Sequence, residues 1–234
     1  VKLESDVIFR IIVLKEKTMA FSLLDQVNGQ PENLPRRERK NLQQRAEILQ
    51  TALRLFSEKG YHNVSMHDIA KEAEFGMGTL YKYFNNKEEL YKALINGVAE
   101  KFHHAVLQAF EEERNPLLAL KRHIAVRREL FFDNLPVVRL YFAETRGAGF
   151  NIKAGFDQEL LSQHNEFIEK LAAVFDRGVK ENVFRTLDPY DMALALDGII
   201  NTFLFRAMKD PVRFRKGDSL SIAEDIFLEG VLKR

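Results

Sequence analysis

Apolar residues recur at intervals of three and four from Leu42 onward: Leu42, Ala46, Leu49, Leu53 and Phe56. That spacing lines one face of a helix and predicts its end near Glu58. Gly60 then stops it, as glycine does just past a helix C-terminus. Ser65-Met66-His67-Asp68 has the form of a capping box, in which hydroxyl and carboxylate satisfy free N–H groups. It opens a short second helix with Met66, Ile69, Ala70 and Ala73 inward. Glu74-Phe75-Gly76 breaks the pattern for three residues. A third short helix over Met77 to Tyr83 buries Leu80 and sets Phe84 behind it. Asn86 caps a fourth, with Glu88 and Glu89 in its first turn where acids suit the helix dipole.

The rest of the chain continues in the same period. Pro116 follows Asn115 at a good first helical position, and Pro136 opens another helix after Asn134-Leu135. Gly147-Ala148-Gly149 reads as a loop. Leu160, Leu161, His164, Phe167, Ile168, Leu171, Phe175 and Val179 mark a long amphipathic helix. Asp188-Pro189 starts the next, which carries Ala195, Gly198, Ile199, Thr202 and Phe203 before Pro211 stops it. Ser221-Ile222-Ala223-Glu224 is expected to cap a last one. No run alternates as a strand does, and no internal repeat is present. The fold class is therefore all-α: an N-terminal three-helix helix-turn-helix domain plus a larger helical body.

Composition narrows the function. The 234 residues contain no cysteine, which excludes a disulfide framework and thiolate metal sites. The longest apolar run near the start, Val7 to Leu14, is interrupted by Arg10 and is far short of the roughly 20 residues of a membrane span. Glu4 and Asp6 spoil a basic signal-peptide head. A cytoplasmic protein without membrane contact is expected. Residues 1–35 form an extension or linker; the chain opens on Val1, and Met19 is a second possible start. The net charge of +1 becomes informative once divided along the chain. Arg36 to Lys59 holds seven bases and three acids, a local excess of four, with four bases between Arg36 and Lys40. Such a cluster is either a solvated face or an arm reaching phosphate or a minor groove.

Three short helices, the second and third joined by a three-residue turn, are the parts of a helix-turn-helix, placed at about 65–84 within a head at 36–90. In that motif the second helix braces across the DNA backbone and the third enters the major groove. The outward positions of the third helix are Met77, Thr79, Tyr81, Lys82 and Tyr83. A phenol can hydrogen-bond a phosphate and lay its ring on the sugar, fixing register. Lys87, beside the free N–H groups of the fourth helix, suits a further phosphate.

At these residues the chain resembles the TetR family of bacterial transcriptional regulators. The likeness is carried by Ile48-Leu49, Ala52, Leu55-Phe56, Gly60-Tyr61, Val64-Ser65-Met66, Asp68-Ile69-Ala70, Ala73, Gly78-Thr79-Leu80-Tyr81, Tyr83-Phe84, Lys87 and Leu90. The resemblance implies that Thr79, Tyr81 and Lys87 hold the DNA backbone. It implies that Met77, Gly78 and Tyr83 face bases, and that Ser65 and His67 begin the bracing helix near a phosphate. Arg37, Arg39 and Lys40 join the candidate set from the basic cluster. Two positions depart from the family pattern: Glu74 stands where glycine is common, and Gly76 where a small polar residue is. Met77 offers no strong hydrogen bond to a base edge, so readout through thymine methyls or DNA shape is expected there.

The resemblance further implies that residues 91–234 form an effector-binding and dimerisation domain. Its long helices at about 157–182 and 188–209 would pair two copies, presenting recognition helices about 34–36 Å apart to a near-palindromic operator. Phe175, Ala195, Gly198 and Thr202 are the candidate interface residues, the last three small enough for close helix approach. Between head and interface an effector site is implied, for which Phe131, Arg139, Phe142, Arg146 and Phe167 are candidates. The chain holds 19 Phe and 6 Tyr, and Arg139 and Arg146 bracket a segment of mixed charge and aromatics. A mainly hydrophobic or aromatic small molecule, with or without an acidic end, is the expected effector; control by a protein partner, or none, is the alternative. Neither cofactor nor metal is implied. His103 and His104 point about 100° apart on a helix and make a poor metal pair. No nucleotide loop or nucleophile motif argues for an enzyme.

Overall fold

The computed structural model describes residues 34–145, 157–210 and 219–233. The expectations for residues 1–33, Arg146, Gly147–Gly149 and Pro211 fall outside them. Nine α-helices account for most of the described residues, and β-structure among these is an isolated bridge between Phe184 and Leu232.

The helical pattern from Leu42 extends further back than its apolar period. Helix α1 spans Arg36–Lys59, so the basic cluster Arg36–Lys40 forms the first turns of a helix and not a loose arm. Pro35 precedes it in an extended conformation, as the residue ahead of a helix usually is, and the exposed bases lie before the first buried residue, Ala46. At its end Gly60 takes φ +82°, a conformation that disfavours side chains, and returns its N–H to the Phe56 carbonyl. A 3-10 turn, Tyr61–Asn63, leads into α2 (Met66–Glu72), α3 (Met77–Tyr83) and α4 (Lys87–Glu112). Beyond these lie α5 (Pro116–Asp133), α6 (Leu135–Glu144), α7 (Gln158–Lys180), α8 (Pro189–Lys209) and α9 (Ser219–Val231). The last begins two residues before Ser221, which therefore lies inside the helix and does not cap it.

The chain packs as two compact units. The first runs through Val98, in the middle of α4, and includes Pro136–Glu144 of α6. Its core is Ile48, Leu49, Leu55, Phe56, Ile69, Leu80, Phe84, Leu90 and Leu94, each nearly or fully buried. Burying one such side chain is worth roughly 1.5–3 kcal/mol. The second unit, residues 99–135 and 145 onward, is built mainly on α7 against α8, with α5 and α9 packed on them. Leu120, Leu171, Phe175, Phe184, Ala193 and Ile200 form its centre.

Candidate nucleic-acid interface and a buried polar cluster

The second helix is held by the capping box its sequence announces. The Ser65 hydroxyl donates to Asp68 Oδ2 (2.5 Å), the Ser65 N–H donates to the same oxygen (2.9 Å), and Asp68 N–H donates to Ser65 Oγ (3.1 Å). These bonds hold the Asp68 carboxyl below the usual carboxylate range. Arg54 braces the helix from α1, donating to Glu72 at 2.5 Å with Glu58 3.5 Å away. The turn into α3 is a Schellman motif: Phe75 N–H donates to Ala70 O, and Glu74 N–H to Lys71 O. The motif puts its next-to-last residue in the left-handed region, and Glu74 sits there at φ +57°. This accounts physically for the glycine that the resembled pattern prefers at that position.

Helix α3 buries Leu80 completely and exposes Gly78, Tyr81 and Lys82. Tyr81 is 49% exposed. Met77 and Thr79 are half-buried, Gly78 is exposed, and a methyl added at Gly78 would meet nothing within 4 Å. Ser65, His67 and Lys82 are exposed, as are Arg37, Arg39 and Lys40.

Two candidates are placed differently from expectation. Tyr83 is half-buried and turned toward α1, its hydroxyl donating to Gln44 Oε1 at 2.9 Å with Asn41 Oδ1 at 3.1 Å. Lys82 reaches the same Asn41 oxygen at 3.2 Å. The Tyr83 phenol thus clamps α3 to α1. Lys87 likewise points inward, donating to the carbonyls of Tyr61 and Val64, each at 2.9 Å. Its ammonium lies 4.4 Å from the centre of the Tyr61 ring. Two of its three donors are therefore used in locking the 3-10 turn onto α4. Tyr61 also packs on Phe56 and Tyr91, and burial, then Glu88 and Glu144, push its hydroxyl above the usual phenol range. Glu144, closing α6, lies 3.0 Å from His62 in the same turn.

A family profile described as bacterial regulatory proteins of the tetR family matches residues 48–94, the stretch that forms this head. The head thus matches the tetR family over 47 of the 234 residues. Among relatives, HTH-type transcriptional regulator RutR of Escherichia coli K12 is 31% identical over 142 residues, covering 61% of this chain and 65% of RutR. The chain spans less than two thirds of the relatives it matches first, 33% and 65% of their lengths. The TetR-family regulator PfmR of Thermus thermophilus superposes with TM-score 0.62 at 26% identity, covering 81% of this chain and 97% of PfmR. The SmeT–triclosan complex gives TM-score 0.64 at 19% identity, covering 81% and 92%.

The candidates in the body divide between the two units. Phe131 and Phe167 are buried in the second, whereas Arg139 (exposed) and Phe142 (half-buried) belong to α6 in the first; Arg146 lies outside the described residues. Phe175 is 0% exposed, packed on Phe184 and Phe227 within its own unit, so it has no surface to offer a second copy. Ala195, Gly198 and Thr202 are all exposed on α8.

Sequence reading missed a polar cluster in the second unit. Arg127 Nη1 donates to Asp197 Oδ1 (2.6 Å) and Nη2 to Asn201 Oδ1 (2.5 Å), while Asn201 Nδ2 donates to Asp197 Oδ2 (3.0 Å). His164 Nε2 lies 3.8 Å from that carboxylate. One turn before Arg127 is His123, 0% exposed, with neither ring nitrogen hydrogen-bonded among the described residues. Burial, then Arg127, holds it well below the ordinary histidine range. A signal was present: His123 and Arg127 interrupt the apolar stripe Ala119, Leu120, Ile124 and Phe131, and Asp197 interrupts Met192, Ala193, Leu196, Ile200 and Leu204.

Proposed function

We propose that this chain is a ligand-responsive repressor that binds a near-palindromic DNA operator as a homodimer and leaves it when a mainly hydrophobic small molecule fills the body. The observation that carries the DNA reading is the outer face of α3. A helix of seven residues buries only Leu80 and exposes Tyr81, Lys82 and a glycine whose Cα hydrogen faces open space. The exposed bases of α1 add sequence-independent attraction for phosphates. Ser65 and His67, at the start of α2, suit the bracing contact, and Met77, Gly78, Thr79 and Tyr81 the groove contact. Lys87 and Tyr83 serve this surface by fixing the helices that carry it.

Dimerisation is supported by α8. Tyr190, Leu194, Gly198 and Thr202 recur every fourth residue as an exposed stripe, with Ala195 beside it; Leu194 is 40% exposed. A methyl at Gly198 would meet nothing within 4 Å among the described residues, so no contact among them calls for glycine in this helix. Close approach by a partner helix would. The effector reading is supported by the aromatic interior around Phe131 and Phe167 and by the triclosan complex of the SmeT neighbour. A cytoplasmic site of action goes with a DNA target. No helix among the described residues is long and apolar enough to cross a membrane.

Fluorescence anisotropy with DNA from upstream of the protein's own gene, against scrambled DNA over a salt series, tests this. Selective binding with a steep salt slope is expected. Gly78→Ala should leave the fold intact, since the methyl has room and alanine favours a helix by up to about 1 kcal/mol. The same change should weaken operator binding by obstructing close approach. Equal affinity of Gly78→Ala for the operator would remove α3 as the reader.

A further inference from the structure

An imidazole buried without partners is costly, because its donor and its acceptor have both lost water. His123 is in that condition while its neighbours are mutually satisfied. Arg127, Asp197 and Asn201 spend their groups on each other, and their charges balance. The His123 ring packs beside two phenyl rings, 5.2 Å from Phe110 and 5.4 Å from Phe167, centre to centre, and those two stack on each other at 6.4 Å. Phe167 is the hub of the cluster, with Arg127 Cζ 5.5 Å and the His164 ring 5.9 Å from its centre. All of these residues belong to the second unit.

We propose that His123 is the polar recognition point of an effector subsite that takes an uncharged aromatic or alicyclic molecule bearing a hydroxyl group. This rests on the effector reading above and gives that effector a chemical class. The hydroxyl is the matching group because it can donate to the bare nitrogen of a neutral imidazole or accept from its N–H, whichever it reaches. A carboxylate would bury a second negative charge beside Asp197, and an ammonium a second positive charge beside Arg127. Phe110 and Phe167, stacked beside His123, supply the apolar surroundings that an aromatic or alicyclic ring matches. The ligand-free state leaves both ring nitrogens without a partner, and the liganded state gives one of them a hydrogen bond. That difference is the differential affinity by which a ligand shifts a conformational equilibrium.

The test uses the full chain without DNA, labelled at histidine for NMR, with phenol as probe and benzoate and benzene as controls near neutral pH. The His123 signal is assigned by its loss in His123→Phe, which replaces an unsatisfied polar ring with an apolar one and keeps the interior filled. Phenol should move the His123 signal saturably, and benzoate should not. His123→Phe should bind phenol about tenfold more weakly, the worth of one hydrogen bond, and benzene unchanged. A His123 signal unmoved by phenol up to its solubility, or equal phenol affinity in His123→Phe, overturns the subsite. If another molecule releases operator DNA while His123 stays unmoved, the subsite falls and the regulatory reading stands. If phenol moves His123 yet no hydrophobic molecule alters operator affinity, the subsite stands and the regulatory reading falls.

Discussion

Glu74 and His123 are both residues held against their own preferences. A β-carbon in the left-handed region costs about 1–2 kcal/mol, and Glu74 at φ +57° has no glycine-like relief. Glu74→Gly is therefore expected to stabilise the head by about 1 kcal/mol, after the loss of chain entropy that glycine brings. Urea denaturation of the two proteins checks this; an unchanged midpoint would mean that the strain is compensated. For His123 the sign follows from linkage. Its folded value is lowered, so between that value and the unfolded value of about 6.5 only the unfolded chain binds the proton. Stability then falls as pH drops below about 6.5, by up to about 1.4 kcal/mol per pH unit. Arg127 opposes protonation, while Asp197 is already occupied by Arg127 and approached by His164. The stability difference between wild type and His123→Phe should be flat above neutrality and widen on acidification. A constant difference from pH 7.5 to 5.5 would show that the imidazole protonates in place.

Helix ends decide how the elements join. The capping box at Ser65 satisfies free N–H groups of α2, and Ser65→Ala should cost about 1 kcal/mol of stability, read as a lowered thermal midpoint. At the C-terminus of α7 a second Schellman motif places Asn182 at φ +58° and folds the chain back so that Phe184 covers Gly178. A β-carbon at Gly178 would lie 2.1 Å from the Phe184 ring. Phe184 is buried and packed on Phe175, so it cannot swing aside freely. Gly178→Ala should destabilise the body by about 1–3 kcal/mol, the usual cost of overpacking, despite alanine's better helix propensity. Chemical denaturation would reveal it, and a neutral result would show that Phe184 yields.

For the molecule as a whole, the proposed reading of a near-palindromic operator calls for two copies. The exposed α8 stripe holds Gly198, where an added β-carbon meets nothing within 4 Å among the described residues and a leucine is expected to hold a partner helix away. Gly198→Leu is expected to convert a dimer to a monomer in analytical ultracentrifugation with the helical content preserved, and to lower operator affinity at least tenfold through the loss of two-site binding. A Gly198→Leu protein that remains dimeric would move the interface off this stripe.

The order of the helices and many of their ends were determined by local features: the three-four period of Leu42 to Phe56, the Ser65–Asp68 box, the prolines at 116 and 189, and Gly60. Their caps and breaks act within a few residues, so adjacent positions suffice to read them. The outward face of α3 was legible too, since burying Leu80 leaves Tyr81 and Lys82 no other side. What Tyr83 and Lys87 do was decided by contacts 39 to 42 and 23 to 26 residues away in the chain. Phe175 is an apolar residue on an amphipathic helix, and only packing determined whether its face met the core or a second copy. Arg127 with Asp197 and Asn201 joins helices 70 and 74 residues apart. Each breaks an apolar stripe visibly, but the partner that makes a buried charge tolerable is a matter of tertiary structure.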